Sequence, residues 1–317
     1  MSNNTQLLLN GINGANPLGF LATLGTTITA SRLYPDAKIS WQIECGAWRP
    51  VLQGCGNDKE DFVKRISNLL DSTFDEPFLL NDGNGNPEKK LPFSTDKYVK
   101  ILSRYKTVAK PENRRLVDYL AAYGSEISID GDKDVFQDSM FRLVRSGDSK
   151  GQGFLAYAYA IRKATRQYEL TRALFNNWDY QDDGFSLRWD PHEDQRYALM
   201  WNDPSKNKDD NNPKTMLGAN ALALEALVLF PTVLKSNKLA TTGFITYDKR
   251  TTFFIWPIWD KPLSVELLRS VLTLKELGMN PLPRDRLISR GITEVYKCER
   301  IAPNKYYKNF APSIAGL

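Results

Sequence analysis

Apolar and polar positions follow two rhythms along this chain, and the rhythm changes often. Residues 38–44 place Ile39, Trp41 and Ile43 at every second position, the period of a strand with one buried face; residues 47–52 read as its hairpin partner. Leu18, Leu21, Leu24 and Ile28 recur at helical spacing instead. Asn16 before Pro17 supplies an N-cap and a proline at the first helical position, so a helix is expected from there to about Leu33. A short strand over 5–9 precedes it, ending in the turn Asn10-Gly11-Ile12-Asn13-Gly14, and Gly19 and Gly25 leave room for a second backbone against the helix.

Phe62, Ile66, Leu69 and Leu70 form the apolar side of a second helix, capped by Asn57 or Asp58. Tyr98, Ile101, Leu102 and Tyr105 suggest a third, capped by Ser94. Leu116, Leu120 and Tyr123 suggest a fourth, opened by Pro111-Glu112 and stopped by Gly124. Residues 82–87 and 130–134 read as loops. Further on, the pattern predicts a strand over 140–144, one long helix from Phe154 to about Trp178, and short strands over 185–189 and 197–201. Residues 203–214 form a polar loop, and 216–230 a largely buried helix ended by Pro231. A hairpin around Asp248-Lys249-Arg250, a helix capped by Ser264, a strand over 291–300 and a last segment over 306–310 complete the chain. No fixed-period repeat is visible. Irregular alternation of helices and short strands implies a mixed α+β fold with mainly antiparallel sheets. Two lobes, 1–145 and 146–317, are one reading of the organisation, and one continuous body is the other.

Composition narrows the function classes. The chain has 317 residues, 42% hydrophobic and 25% charged, which is enough for a packed core. A net charge of +5 permits a polyanionic partner without requiring one. Cys45, Cys55 and Cys298 include no C-x-x-C pair, which fits a reducing compartment and argues against a zinc ribbon. The N-terminus has no signal-peptide pattern, and no apolar run is long enough to span a bilayer, so a cytoplasmic location is expected.

Catalytic chemistry is hard to assemble from these residues. His192 is the single histidine, without an H-E-x-x-H helix or a G-x-S-x-G elbow. It sits in a polar turn where an ordinary exposed role is expected. Asp179, Asp182, Asp183, Asp190, Glu193 and Asp194 cluster nearby. Such carboxylates can hold magnesium for phosphodiester cleavage, which makes a divalent-metal nuclease using Asp190, Glu193 or Asp194 the alternative enzymatic reading. They are also the usual residues of turns and caps. The leading expectation is no catalytic set, no metal and no cofactor.

Binding chemistry is better represented. Gly147 to Gly153 lies between a predicted strand and a predicted helix, where backbone N–H groups favour an anion, though it is no P-loop. Arg142, Arg145 and Lys150 add positive charge there, and Gln152 adds a polar contact; Arg188 and Arg196 are further candidates. Arg114, Arg115, Arg162, Lys163, Arg166 and Arg172 fall on predicted helix surfaces. Arg284, Arg286, Arg290, Lys297, Arg300, Lys305 and Lys308 gather near the C-terminus among Tyr296, Tyr306 and Tyr307, a mixture suited to phosphate neutralisation and base stacking. The tryptophans read as core or interface anchors, and the 256–259 region as a docking point if the chain is a protein-only scaffold.

Five stretches in order carry a resemblance. They are Asn16-Pro17-Leu18-Gly19-Phe20-Leu21-Ala22-Thr23-Leu24-Gly25; Phe141-Arg142-Leu143-Val144-Arg145-Ser146-Gly147 leading to Gly151-Gln152-Gly153; Ser186-Leu187-Arg188-Trp189-Asp190-Pro191 before Arg196-Tyr197-Ala198-Leu199; Trp256-Pro257-Ile258-Trp259; and Arg290-Gly291-Ile292 before Val295-Tyr296 and Arg300-Ile301. This order resembles a CRISPR-associated family of type I-G (formerly I-U) systems, whose members are large-subunit-like proteins or extensions associated with the helicase–nuclease. The resemblance implies a non-catalytic subunit of a crRNA-guided interference complex, with other effector subunits and crRNA or target DNA as partners. In such complexes base pairing reads sequence, while protein subunits hold backbones and read a short adjacent duplex motif.

Overall fold

The computed structural model describes residues 6–78, 95–108, 110, 114–125, 137–143, 153–193, 214–235, 238–248, 251–304 and 307–317. Its centre is a pair of helices buried on all sides. Helix α1 (Pro17–Ser31) is buried from Pro17 to Ala30, and α7 (Leu217–Ala226) is buried at every position. A helix apolar all round belongs inside a larger body. The two backbones touch: a Cβ on Gly25 would lie 1.7 Å from the Leu222 carbonyl oxygen, so only glycine allows this crossing. The buried hydroxyls of Thr23, Thr26, Thr27 and Thr29 each donate to the carbonyl four residues earlier, so α1 sinks into the core without stranding polar groups.

The sequence pattern holds closely here. Asn16 caps α1, its Oδ1 accepting from the Gly19 N–H at 3.1 Å, with Pro17 at the first position. Strand β1 (Gln6–Leu8) pairs antiparallel with β3 (Ala47–Gln53), and β3 with β2 (Lys38–Glu44), register Trp41 opposite Pro50. Ile43 is exposed, because the hairpin tip runs past the core. Helix α2 (Lys59–Ser72) is capped by Asp58, which accepts from the Glu60 and Asp61 N–H groups. Helices α3 (Thr95–Val108) and α4 (Arg114–Tyr123) follow, then the short pair β4 (Gly124–Ser125) and β5 (Gln137–Asp138).

Three expectations are corrected. The described part of 140–144, Met140 to Leu143, is a turn rather than a strand: the Arg142 N–H donates to the Ser139 carbonyl at 3.1 Å. The long helix over 154–178 is two, α5 (Phe154–Ala164) and α6 (Gln167–Phe175). The chain extends at Thr165 and Arg166, the Thr165 hydroxyl bonds back to Ile161, and the Arg166 N–H donates to the Glu169 carboxylate, restarting a helix in a new direction. Residues 185–189 are irregular, with Arg188 at φ 62°. The loops at 82–87, 130–134 and 203–213, and the strand expected over 197–201, lie outside the described residues.

The second half adds the hairpin β6 (Thr232–Lys235)–β7 (Lys238–Thr241) and a larger antiparallel sheet. That sheet runs β8 (Phe244–Tyr247), β9 (Thr251–Trp259), β10 (Ile292–Asn304), β11 (Tyr307–Phe310), with β12 (Ile314–Ala315) also on β10. Helices α8 (Val265–Leu272) and α9 (Arg284–Ser289) lie between β9 and β10. Phe20 of α1 lies within 6.4 Å of the ring centroids of Trp41, Phe254, Trp256 and Trp259, so one aromatic core joins both sheets to α1. Trp256 and Trp259 also donate to the carbonyls of Gly14 and Ile39, at 2.8 and 2.9 Å. The whole is a mixed α+β fold. Among the described residues no helix is long and apolar enough to cross a membrane.

A charge network fastens the helices. Glu225 of α7, fully buried, takes Arg162 of α5 on one oxygen and Arg115 of α4 on the other. Arg115 continues to Glu76 at 2.9 Å, which takes Arg32 at 2.8 Å. Arg162 also donates to the Leu70 carbonyl at 2.6 Å. Burial alone would raise the Glu225 pKa, but the adjacent Arg162 and Arg115 charges hold it below the ordinary value. Arg115 and Arg162, expected on solvated helix faces, are therefore structural.

Candidate functional site

The acidic residues around His192 separate into three arrangements. Asp179 and Asp182 both pair with Arg172, and the second Asp182 oxygen accepts the Leu217 N–H at 2.8 Å, fixing the start of α7. Asp183 pairs with Lys214 at the surface. Asp190 and Glu193 are buried and bound by neutral donors. Asp190 accepts from the Asn16 side chain, the His192 backbone N–H and the Tyr180 hydroxyl, each at 2.9 Å. Glu193 accepts from Ser186 and, at 2.5 Å, from Thr215; Asn220 of α7 donates to that same threonine and receives the Leu187 N–H. Asp194 lies outside the described residues.

This network ties the cap of α1 to the first turn of α7 through the irregular segment 180–193. Burial raises the pKa of both carboxyls. At Glu193 the neighbouring Asp190 charge adds to that effect, so the pair favours holding a proton. Their oxygens are already engaged by hydrogen-bond donors. Among the described residues no group of three or more His, Cys, Asp or Glu side chains could hold a metal ion. His192 stacks on Tyr180, ring centroids 4.2 Å apart, on a single 3-10 turn over Pro191–Glu193.

The binding candidates fare differently. Arg145, Lys150, Gln152 and Arg196 lie outside the described residues. Arg188 occupies a left-handed backbone position where its N–H donates to the Ser186 hydroxyl at 2.9 Å, and its charge favours the ionised form of Glu193. Its place is therefore within the carboxyl network.

Arg142 lies at the end of a turn that is held from several sides. The Phe141 ring packs against Trp189, Phe230, Phe244 and Phe254. The Phe141 carbonyl accepts from the Trp189 indole at 2.9 Å, the Met140 N–H donates to Thr241, and the Met140 carbonyl accepts from Arg300 Nε at 2.8 Å. The Arg142 side chain, 14% exposed, pairs with Asp138. Arg300 is opposite Phe310 in the β10–β11 ladder, and Lys308, two residues before Phe310, shares that face by alternation. The sheet thus brings Arg300 and Lys308 beneath the turn that carries Arg142. Burial lowers the Arg142 pKa. Burial, then the Arg142 charge, lowers Arg300 to about 10, and burial with both arginines lowers Lys308 to about 8. Arg300 thus feels Arg142 as a like charge, and Lys308 feels both.

Sequence reasoning saw the C-terminal basic residues only as a gathering. A strand pairing at β10–β11 was the available signal for Arg300 and Lys308, but nothing local joins them to Arg142, some 160 positions earlier. The tryptophan pair expected as a docking point is interior: Trp256 and Trp259 are 0% and 1% exposed. No protein-family model matches the chain, and no curated protein matches it.

Proposed function

We propose that this chain is a non-catalytic, nucleic-acid-binding subunit of a crRNA-guided interference complex of the type I-G kind, acting in antiviral defence inside the cell. The observation that carries the binding part is the convergence of Arg142, Arg300 and Lys308 on one face, anchored by a turn with little freedom. Association with guide RNA and effector subunits rests on the ordered stretches from Asn16-Pro17-Leu18-Gly19 to Arg300-Ile301. Arg145, Lys150 and Gln152 follow within ten positions of Arg142 in the sequence and bring side chains suited to the same polyanionic partner.

Purification of the tagged protein from its native host tests membership. Co-purification with short RNA of uniform length and with companion subunits is the expected result; a chain that emerges alone and free of nucleic acid overturns it. Replacing Arg145 and Lys150 together with alanine is expected to weaken target binding and flatten its dependence on salt. An unchanged affinity and slope would remove those two residues from the interface.

A further inference from the structure

We infer that Arg142, Arg300 and Lys308 form a seat for a single phosphate group, with Lys308 and the outer part of the Arg300 guanidinium as its direct contacts. The inference rests on the nucleic-acid-binding reading and names the chemical group recognised and the residues that do it.

Three cations share this face, and Asp138 is the carboxylate paired here, with Arg142. Arg300 spends its Nε–H on the Met140 carbonyl. Among the described residues no carboxylate pairs with Arg300, and no ion pair or hydrogen bond engages the Lys308 ammonium. Elsewhere in this protein Arg115, Arg162 and Arg172, each with little of its side chain exposed, meet carboxylates. Withdrawn cations without a counter-charge are costly unless a ligand supplies it.

Geometry selects the ligand. Arg300 is oriented by its bond to Met140, which leaves the other guanidinium edge set at a fixed angle, suited to an anion with several oxygens. Lys308 comes from the neighbouring strand as a point charge, and the Met140 carbonyl that Arg300 holds belongs to the turn that carries Arg142. A tetrahedral phosphate presents oxygens in those directions, and either a nucleic-acid backbone or a free phosphorylated molecule can supply it.

The test uses the whole chain. Thermal unfolding is followed with inorganic phosphate and with chloride at equal ionic strength, for the wild type, Lys308→Met and Lys308→Arg. Phosphate is expected to raise the wild-type Tm more than chloride does, with the excess lost in K308M and kept in K308R. Without phosphate, K308M should unfold no earlier than the wild type, since it relieves repulsion; this also shows that the variant folds. Titration of a short oligonucleotide against salt should give K308M a slope smaller by about one. No phosphate excess in the wild type, or the same excess in K308M, overturns the seat. An oligonucleotide bound with an unchanged slope in K308M also overturns the seat but leaves the nucleic-acid reading standing. A K308-dependent phosphate effect without any oligonucleotide binding keeps the seat, assigns it to a free phosphorylated molecule, and removes the nucleic-acid reading.

Discussion

Glu225 and the Asp190–Glu193 pair are all buried carboxyl groups at opposite ends of the same helix neighbourhood, yet their surroundings push them in opposite directions. Glu225 has a guanidinium on each oxygen and stays ionised below the ordinary carboxylate pKa. Asp190 and Glu193 are hydrogen-bonded by hydroxyls, an amide and a backbone N–H, no guanidinium pairs with them, and the Arg188 charge near Glu193 does not offset burial, so their pKa values rise. Depth of burial therefore says little about protonation; the charge of the partners decides it. The basic face of Arg142, Arg300 and Lys308 is the complementary case: among the described residues, Asp138 is the carboxylate paired there.

The largest effect that tests this contrast is at Glu225. Alanine there leaves Arg162 buried without an anion and Arg115 with Glu76 alone, and is expected to cost about 3–5 kcal/mol by equilibrium denaturation. A loss near that of an ordinary surface substitution would show that the network adjusts and the contrast is unimportant.

Next is the pH dependence, where the two centres should act with opposite sign. The native pKa of Glu225 is lowered, so its stabilisation is full above its ordinary value of 4.5 and is lost as pH falls. The native pKa of Glu193 is raised from 4.5 to about 8, so its stabilisation is full below 4.5 and is lost as pH rises through 8. Glu193→Gln, which keeps the shape of the protonated acid, should flatten the decline between those values when stability is measured across pH. A slope identical to the wild type would place the titrating group elsewhere.

The smallest effect expected is at Tyr180. Phenylalanine removes one of three donors to Asp190 and should cost about 1 kcal/mol. It should also raise the Asp190 pKa further, a shift that NMR titration of the side-chain carboxyl would show. No measurable loss and no change in titration would mean that the ring's stacking on His192, which phenylalanine keeps, matters more than its hydroxyl.

Much of the fold was legible locally. The Asn16-Pro17 cap, the β2–β3 hairpin, the Asp58 cap and the buried stretch that became α7 follow from periodicity and capping chemistry, which act over a few residues. The break between α5 and α6 was missed because Thr165-Arg166 carries no glycine or proline. Its signal was Glu169, three residues on, closing a box onto the Arg166 N–H. The turn at Met140 was read as a strand because its apolar residues are buried for aromatic packing rather than in a ladder. The roles of Arg115 and Arg162 were unreadable, since Glu225 lies 110 and 63 positions away.

The sequence alone determined where helices and hairpins begin, the mixed α+β class, and the supply of charged groups, because these depend on neighbours within a turn or two. Only the tertiary structure decided which charges are paired, which carboxyls have their pKa raised, and that Arg300 holds the turn that carries Arg142. Those outcomes depend on distances between residues far apart in the chain, and on the loss of solvent around them, which makes each nearby charge count for more.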